Sequence, residues 1–261
     1  MEVHTHTHTA RKKWTHYFWE FLMLFLAVFC GFLAEYQLEH TIEHQREKQY
    51  ARVLYDEFSA DSMAVADKIE LRLDKEKDMD YLNSYLKDSS LSSLPREFYP
   101  AYTTVMYLAN TYSFEPKDGI LSQLKSSGAL RYFKSTTLQK LFGDISVSIN
   151  NVRYRNEQEY QFFANPIKPF MLKHYDFNWM NELRRHDENE TAINLVNYYR
   201  KSDTVIKASI LNLQSFDRGE TSNMISFYKQ MLVSTRTLQM NDYIRVNRKL
   251  LQELRRIYKL K

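Results

Sequence analysis

Glycine, proline and cysteine are all scarce in this sequence of 261 residues. Only five glycines and five prolines occur, and because these residues interrupt regular structure, their scarcity predicts long uninterrupted helices. The one cysteine, Cys30, excludes an intramolecular disulfide. The charge is nearly balanced, with a net value of +4, and therefore gives no indication of a nucleic-acid partner. The sequence also lacks a Walker loop, a dinucleotide fingerprint and a G-x-S-x-G elbow.

The composition that remains is that of a globular protein. Hydrophobic residues make up 44% of the chain and charged residues 26%, which is enough to build one large or two small cores without disulfides. No stretch shows useful β-alternation. We therefore predict an all-α protein, in which an N-terminal transmembrane helix continues into a long helix and a helical bundle. The predicted parts are a short basic, histidine-rich tail (1–13), an anchor (14–37) and a bundle domain outside the membrane (38–261).

The longest apolar stretch lies near the N-terminus. Residues 21–34 read FLMLFLAVFCGFLA without a charge, and extension back to Tyr17 gives 18 residues interrupted only by Glu20. A helix of that length measures about 27 Å, close to the roughly 30 Å of a hydrocarbon core. Aromatic residues at both ends fit the two membrane interfaces. The anchor is defined by Trp14, Tyr17, Trp19, Glu20, Phe21, Leu22, Phe25, Phe29 and Phe32.

Three other interpretations of this segment are less consistent with the residues. A cleaved signal requires small residues at the positions just before the cut. A cut after Ala34 would place the large ring of Phe32 at position −3. A lipoprotein site at Cys30 requires a small residue before it, and Phe29 stands there. A buried core helix of this length is the remaining alternative. We favour an uncleaved anchor.

The orientation of the anchor follows from the cations beside it. Arg11, Lys12 and Lys13 directly precede the segment, whereas the other flank begins with glutamates. A count of lysine and arginine out to residue 52 is a tie, so the closeness of the N-terminal cluster decides. We predict a cytoplasmic N-terminus and a C-terminal domain on the opposite side.

Beyond the anchor, one long amphipathic helix is predicted, because neither proline nor glycine occurs between residues 32 and 94. Its apolar residues follow helical spacing and predict a single buried stripe. The first loop is expected at 88–95, which reads DSSLSSLP. The predicted stripe consists of Leu54, Phe58, Val65, Ile69, Leu73, Met79, Leu82 and Leu86.

The rest of the chain reads as shorter helices. We expect one helix over 99–112 and a second that is capped by Asp118 and ends near Lys125. A third, capped by Ser135, should cover 136–165 and end at Pro166 and Pro169. Residues 173–190 appear polar and irregular apart from a buried Trp179. Two final helices are predicted over 191–216 and 220–261.

The layout of these parts resembles an uncharacterised family of single-pass, membrane-anchored helical proteins of Gram-negative bacteria, a domain of unknown function. The matching pieces are Glu20 in the anchor, REKQYARVLYDEF at 46–58 and ILSQLKSSGALRYF at 120–133. The resemblance spans most of the chain in layout and is specific only in those patches. It implies a membrane-tethered helical domain and no reaction. Together with the orientation predicted above, we expect a location in the bacterial inner membrane, with the C-terminal domain in the periplasm.

A short zinc signature stands just beyond the anchor. His40, Glu43 and His44 form an H-x-x-E-H string, which is typical of inverted zinc peptidases. A peptidase also needs a third ligand, for which Glu115 is conceivable, and an open cleft. Glu43 belongs, moreover, to a stripe of glutamates four residues apart, at 35, 39, 43 and 47, so a solvated helix face explains the string better than a metal does.

Histidines also alternate in the tail. His4, His6 and His8 could offer imidazoles to zinc, copper or nickel, and a flexible tail with weak, nonspecific affinity is the simpler interpretation.

The last turns of the chain are strongly basic. Seven cations face one acid between residues 245 and 261, and Arg255, Arg256 and Lys259 are the candidate contacts to lipid or to a partner. A solvated bundle face explains them equally well. A third possibility is that they pair with the glutamate stripe.

The predicted function is a membrane-anchored helical interaction or scaffold protein without catalytic activity, accessory to a membrane complex. Its expected partners are the lipid bilayer and either another protein or further copies of itself, with no cofactor. The alternative is a ligand-sensing bundle that acts through a partner. A zinc-binding protein or metallopeptidase is the third hypothesis.

Overall fold

A computed structural model describes residues 13–108 and 110–260. These residues form helices and no strand, which confirms the all-α prediction. The described chain separates into two compact units, divided between Ala51 and Arg52. In the first unit, every described residue except Lys13 belongs to the N-terminal part of helix α1 (Trp14–Asp88).

The second unit is a bundle built from the rest of α1 and the helices that follow it. Two π-helical turns, Phe163–Ile167 and Thr235–Met240, join α4 to α5 and α8 to α9. The helices after α1 are α2 (Phe98–Met106), α3 (Gly119–Ser126), α4 (Thr136–Phe162), α5 (Lys168–His174), α6 (Phe177–Arg184), α7 (Ala192–Lys201), α8 (Arg218–Ser234) and α9 (Asn241–Tyr258).

Helices α8 and α9 run antiparallel to α1 along the whole second unit. Lys229 of α8 donates to Asp80 at 2.5 and 2.7 Å, and Tyr243 of α9 donates to Asp61 at 2.8 Å. The contact residues on α1 fall from 80 to 61 while those on α8 and α9 rise from 229 to 243, so the helices are antiparallel. The final helices therefore cover the face of α1 that the sequence predicts to be buried.

An aromatic cluster fills the part of the core beside α2. Tyr99 and Tyr102 of α2 pack against Tyr175 and Trp179, with ring centroids 5.5–5.8 Å apart. Trp179 is 1% exposed, so the prediction that it is buried is confirmed. Aromatic pairs at such distances are stabilised beyond their burial.

Polar residues just before several helices explain where those helices begin. The Ser135 hydroxyl accepts a hydrogen bond from Leu138 N at 3.3 Å, and Asp217 accepts one from Glu220 N at 2.8 Å. Both satisfy amides that lack a partner within the helix. Asp118 precedes α3 as predicted, but its carboxylate binds Arg153 at 2.9 and 3.1 Å instead of capping the helix.

The two prolines do not end the helix that begins at Ser135. Pro166 lies inside the first π turn and Pro169 lies in the first turn of α5. Proline lacks an amide donor and crowds the carbonyl four residues earlier. The wider π turn accommodates both defects, so the predicted break at these prolines is wrong.

The prediction for residues 173–216 is wrong in two places. Residues 177–184 form helix α6 where irregular chain was expected, and α7 stops at Lys201 instead of continuing to 216. The chain after α7 is held away from a helix by side chains of other elements. Arg96 donates to Thr204 O at 3.1 Å and to two neighbouring carbonyls, and Tyr99 donates to Ser209 O at 2.6 Å.

Two glycines give a paired test of this local structure. Gly128 has a φ of +71° after α3, a conformation that costs a residue with a Cβ about 1–2 kcal/mol. Gly128→Ala should therefore lower the free energy of unfolding by about that amount. Gly143 lies exposed within α4, with nothing within 4 Å of an added Cβ, so Gly143→Ala should raise it by about 0.5–1 kcal/mol. Denaturant unfolding followed by circular dichroism measures both, and equal shifts would contradict this account.

Candidate functional site

The residues predicted to form the anchor lie on the N-terminal part of α1, with nearly all of their side chains exposed. Trp14 is 81% exposed and Phe32 is 68% exposed, while Leu22 is half-buried. Glu20 lies 3.1 Å from His16 Nε2. Among the residues that the structure describes, one helix is long and apolar enough to cross a membrane, and none of its most apolar 18-residue window is buried. The others, Tyr17, Trp19, Phe21, Phe25 and Phe29, are each about half exposed or more.

In the described residues, the candidate metal ligands His40 and His44 have no further ligand beside them that would complete a metal site. His40 Nε2 lies 3.0 Å from the Tyr36 hydroxyl, and His44 Nδ1 lies 3.3 Å from Glu47 Oε2. Glu115, the conceivable third ligand, accepts a hydrogen bond from Arg153 at 2.5 Å. Over the described ranges, no group of three histidine, cysteine or acidic residues could hold a metal ion. His4, His6 and His8 lie outside the described residues.

The candidate basic contacts differ in their surroundings. Arg256 makes two hydrogen bonds to Glu253, at 2.7 and 2.8 Å, whereas Arg255 donates to the hydroxyl of Tyr55 on α1. Lys259 is exposed just after α9, and Lys13 is exposed before α1. Arg11 and Lys12 lie outside the described residues.

The most unusual part of the bundle is a buried polar layer that joins α1, α4 and the second π turn. At its centre, the fully buried Arg72 makes two hydrogen bonds to Glu159, at 2.8 and 3.0 Å, and donates to Tyr112 O at 2.9 Å. Thr235 donates to Glu159 at 2.5 Å. Buried charges of this kind are tolerated only when paired and hydrogen-bonded, and here both conditions are met.

Lys75 is the exception in this layer. Its side chain is fully buried, and its amine lies 4.4 and 4.7 Å from the ring centroids of Tyr112 and Tyr228 and donates to the Tyr228 hydroxyl at 3.2 Å. Over 13–108 and 110–260, no carboxylate forms an ion pair with it. The pKa of Lys75 is lowered to about 7, mainly by burial; Glu159 opposes this shift and nearby Arg72 adds to it. The amine is therefore enclosed within the core.

The second π turn directs two of its side chains into the layer. Thr235 binds Glu159 from this turn, and the next residue, Arg236, makes two hydrogen bonds to Glu76 of α1 at 2.8 and 2.9 Å. A π turn adds one residue to a helical turn and is frequent at functional sites. Here it places adjacent residues against acids on two different helices, α4 and α1.

A second polar group lies nearer the start of the second unit. Asp61 is 1% exposed and accepts from the Tyr243 hydroxyl at 2.8 Å and from Lys117 N at 2.7 Å. Burial raises the pKa of Asp61 and of neighbouring Glu57. These bonds attach the loop before α3 to α1, so their role is positional.

Among the clefts of the second unit, one lies directly between α1 and α9. We call this cleft, of about 680 Å³, the α1/α9 groove, a volume within the range of ligand sites. Arginine guanidinium groups line it beside apolar and small side chains. Its lining residues are Tyr55, Ser59, Ser62, Ala66, Ile244, Arg248, Leu251, Gln252 and Arg255.

Two further clefts are lined by more mixed sets of residues. One, of about 720 Å³, lies beside the first π turn between Tyr154 and Phe227. The other, of about 290 Å³, contains Asp78 and Arg200, which are bound to each other at 2.7 Å.

Sequence reasoning missed the polar layer, although the sequence contains a signal for it. Between Val65 and Met79, both buried, the predicted stripe continues through Leu73, which is 38% exposed. The buried positions there are occupied by Arg72, Lys75 and Glu76. Lys75 and Glu76 lie three and four residues after Arg72, which is the spacing of the apolar stripe. Charged residues at such positions were the available signal for a buried polar layer.

No family model matches the sequence, and neither a curated protein nor a solved structure is significantly similar to it.

Proposed function

We propose that this protein is a membrane-anchored, non-catalytic interaction protein that holds a helical bundle beside a membrane complex. The observation that carries the proposal is the N-terminal part of α1, whose apolar 18-residue window has a mean hydropathy of 2.0 and contains no buried residue. An apolar surface of that length is costly in water and is stabilised in a bilayer. The bundle has its own core, and its buried Arg72 and Glu159 are paired with each other, which suits a rigid scaffold.

The first test is whether the chain is integrated in a membrane. The full-length protein should stay with membranes after alkaline extraction. Leu26→Arg places a charge at the centre of the anchor, where it costs about 2.5–3.5 kcal/mol of insertion free energy, and should release a large part of the protein. The matched control is Met63→Arg, because Met63 lies on α1 in the second unit and is 67% exposed. Release of the wild-type protein by alkali would refute the anchor.

The proposed location is the bacterial inner membrane, with the N-terminus in the cytoplasm and the bundle in the periplasm. The basic residues 11–13 support this orientation. The single native cysteine makes the test simple. In a Cys30→Ser background, Met63→Cys should react with a membrane-impermeant maleimide in spheroplasts, and His8→Cys should react only after lysis. The reverse pattern would invert the topology.

Interaction with a partner is tested by cross-linking after extraction in mild detergent, followed by mass spectrometry. Recovery of a second protein, or of a defined oligomer of this chain, in near-equal amount is expected. A protein that is monomeric and alone under these conditions would count against the scaffold.

A second candidate function is ligand sensing through a partner. The clefts of about 680 and 720 Å³ favour it, since volumes of this size accommodate small molecules. A zinc enzyme is less well supported, because the described histidines lack a third ligand beside them.

A further inference from the structure

The α1/α9 groove is lined by two helical rows with the same spacing. On α1 the row is Tyr55, Ser59, Ser62 and Ala66, and on α9 it is Ile244, Arg248, Leu251 and Arg255. Both rows advance by four, three and four residues. This spacing of 3.5 residues per turn is the one that helices use when they pack side by side.

The shape of the groove suits a third helix. Each row spans about 16 Å of helix, or three turns. The α1 side is lined by short side chains at Ser59, Ser62 and Ala66, which allow another helix to approach closely, while Ile244 and Leu251 offer apolar contacts from α9. A helix laid into an apolar groove is a recurrent mode of recognition.

The charge of the groove has one sign. Arg248 and Arg255 line it seven residues apart on α9, which places them about 10 Å apart along one helix face. Arg248 is exposed and, within 13–108 and 110–260, its guanidinium has no hydrogen-bond or ion-pair partner. Among the described residues, the partner of Arg255 is Tyr55, through its neutral hydroxyl and its ring. The groove therefore presents two positive charges that no acid of the described residues neutralises.

We propose that the α1/α9 groove binds an amphipathic helix of a partner protein that carries two acidic residues seven positions apart. The acids pair with Arg248 and Arg255, an apolar residue between them covers Leu251, and an apolar residue one turn beyond the acid at Arg248 covers Ile244. This inference rests on the proposed interaction function and adds to it the place and the chemistry of the contact. Matching heptad spacing on both walls favours a helix over a lipid, whose chain has no such period.

The test is photo-cross-linking of the full-length protein in its native membranes. A benzophenone amino acid replaces Gln252 inside the groove or, as the control, Met63, which lies on α1 outside the groove lining. Cross-links from position 252 should map to a helical partner segment with acids seven residues apart, and those from position 63 should not.

Charge reversal then decides whether the arginines recognise that segment. Arg248→Glu should lower the cross-linking yield at position 252 by about tenfold, because like charges across an interface are strongly unfavourable. The matched control is Lys249→Glu, the adjacent exposed cation outside the groove lining, which should change the yield less than twofold. Replacing the facing partner acid by lysine should restore the yield with Arg248→Glu.

Four results would overturn the proposal. These are cross-links from position 252 to lipid alone, a captured segment without the acidic pair, a yield insensitive to Arg248→Glu, and protein cross-links from position 63 only. The last result would leave the interaction function standing while excluding this groove. Absence of any protein cross-link, together with a monomeric extract, would count against both.

Discussion

Glu159→Ala is expected to lower the free energy of unfolding by about 3–5 kcal/mol, which is the cost of leaving a buried charge without its partner. In the native bundle, Glu159 accepts two hydrogen bonds from the fully buried Arg72 and one from Thr235. Its loss strands the guanidinium of Arg72 in the core. Denaturant unfolding of the full-length protein in detergent measures the change.

A neighbouring acid provides the control. Glu157 lies two residues earlier on α4 and is exposed, so Glu157→Ala should change the free energy of unfolding by less than about 0.5 kcal/mol. The double variant Arg72→Met/Glu159→Leu should be much more stable than Glu159→Ala alone, because it replaces both charges with apolar groups. If Glu159→Ala unfolds like the wild type, Arg72 and Glu159 do not form a buried pair.

Lys75→Met is expected to have the opposite effect and to raise the free energy of unfolding by about 1–4 kcal/mol at or below pH 7. The pKa of Lys75 is about 7 in the folded protein, against a reference value of 10.5. Between these values the unfolded chain binds a proton that the folded chain does not. The stability of the wild type therefore rises with pH in this window by up to about 1.4 kcal/mol per pH unit, and below pH 7 the full penalty remains.

The advantage of Lys75→Met over the wild type should accordingly shrink as the pH rises from 7 towards 10. Unfolding measured at several pH values, with the difference between the two proteins taken at each, isolates this lysine from other titrating groups. Lys77→Met is the control, because Lys77 lies exposed two residues away beside Asp74, and it should show little difference at any pH. A constant advantage for Lys75→Met would mean that its amine keeps an ordinary pKa.

The sequence allowed the helical class and much of the helix layout to be predicted, since these depend on local features. Hydrophobic spacing identified α1, and Ser135 marked the start of α4. The prediction failed where distant contacts override local preference. Pro166 is accommodated by a π turn that no local pattern indicates, and the chain after Lys201 is held extended by Arg96 and Tyr99 from another part of the sequence.

The candidate site shows the same division. The basic character of α9 was evident from the sequence, and the contact of Arg255 with lipid or a partner stays a prediction. The groove itself was not predictable, because it exists only where α9 lies antiparallel to α1 at a particular register. The zinc string shows the limit of local spacing: His40 and His44 share a helix face, but a metal centre also needs ligands from elsewhere, and spacing within one helix cannot supply them.

The antiparallel pairing of α1 with α8 and α9 also has a consequence for how the protein folds. The bond between Tyr55 and Arg255 joins residues 200 positions apart, and that between Asp61 and Tyr243 joins residues 182 positions apart. Contacts so distant in sequence slow folding, because the entropy of closing the loop is lost before the contact forms. During synthesis, moreover, Arg72 and Lys75 emerge long before Thr235 and Tyr228. Residues 52–88 therefore stay incompletely covered until the last helices have left the ribosome, and apolar surface exposed in this way favours aggregation.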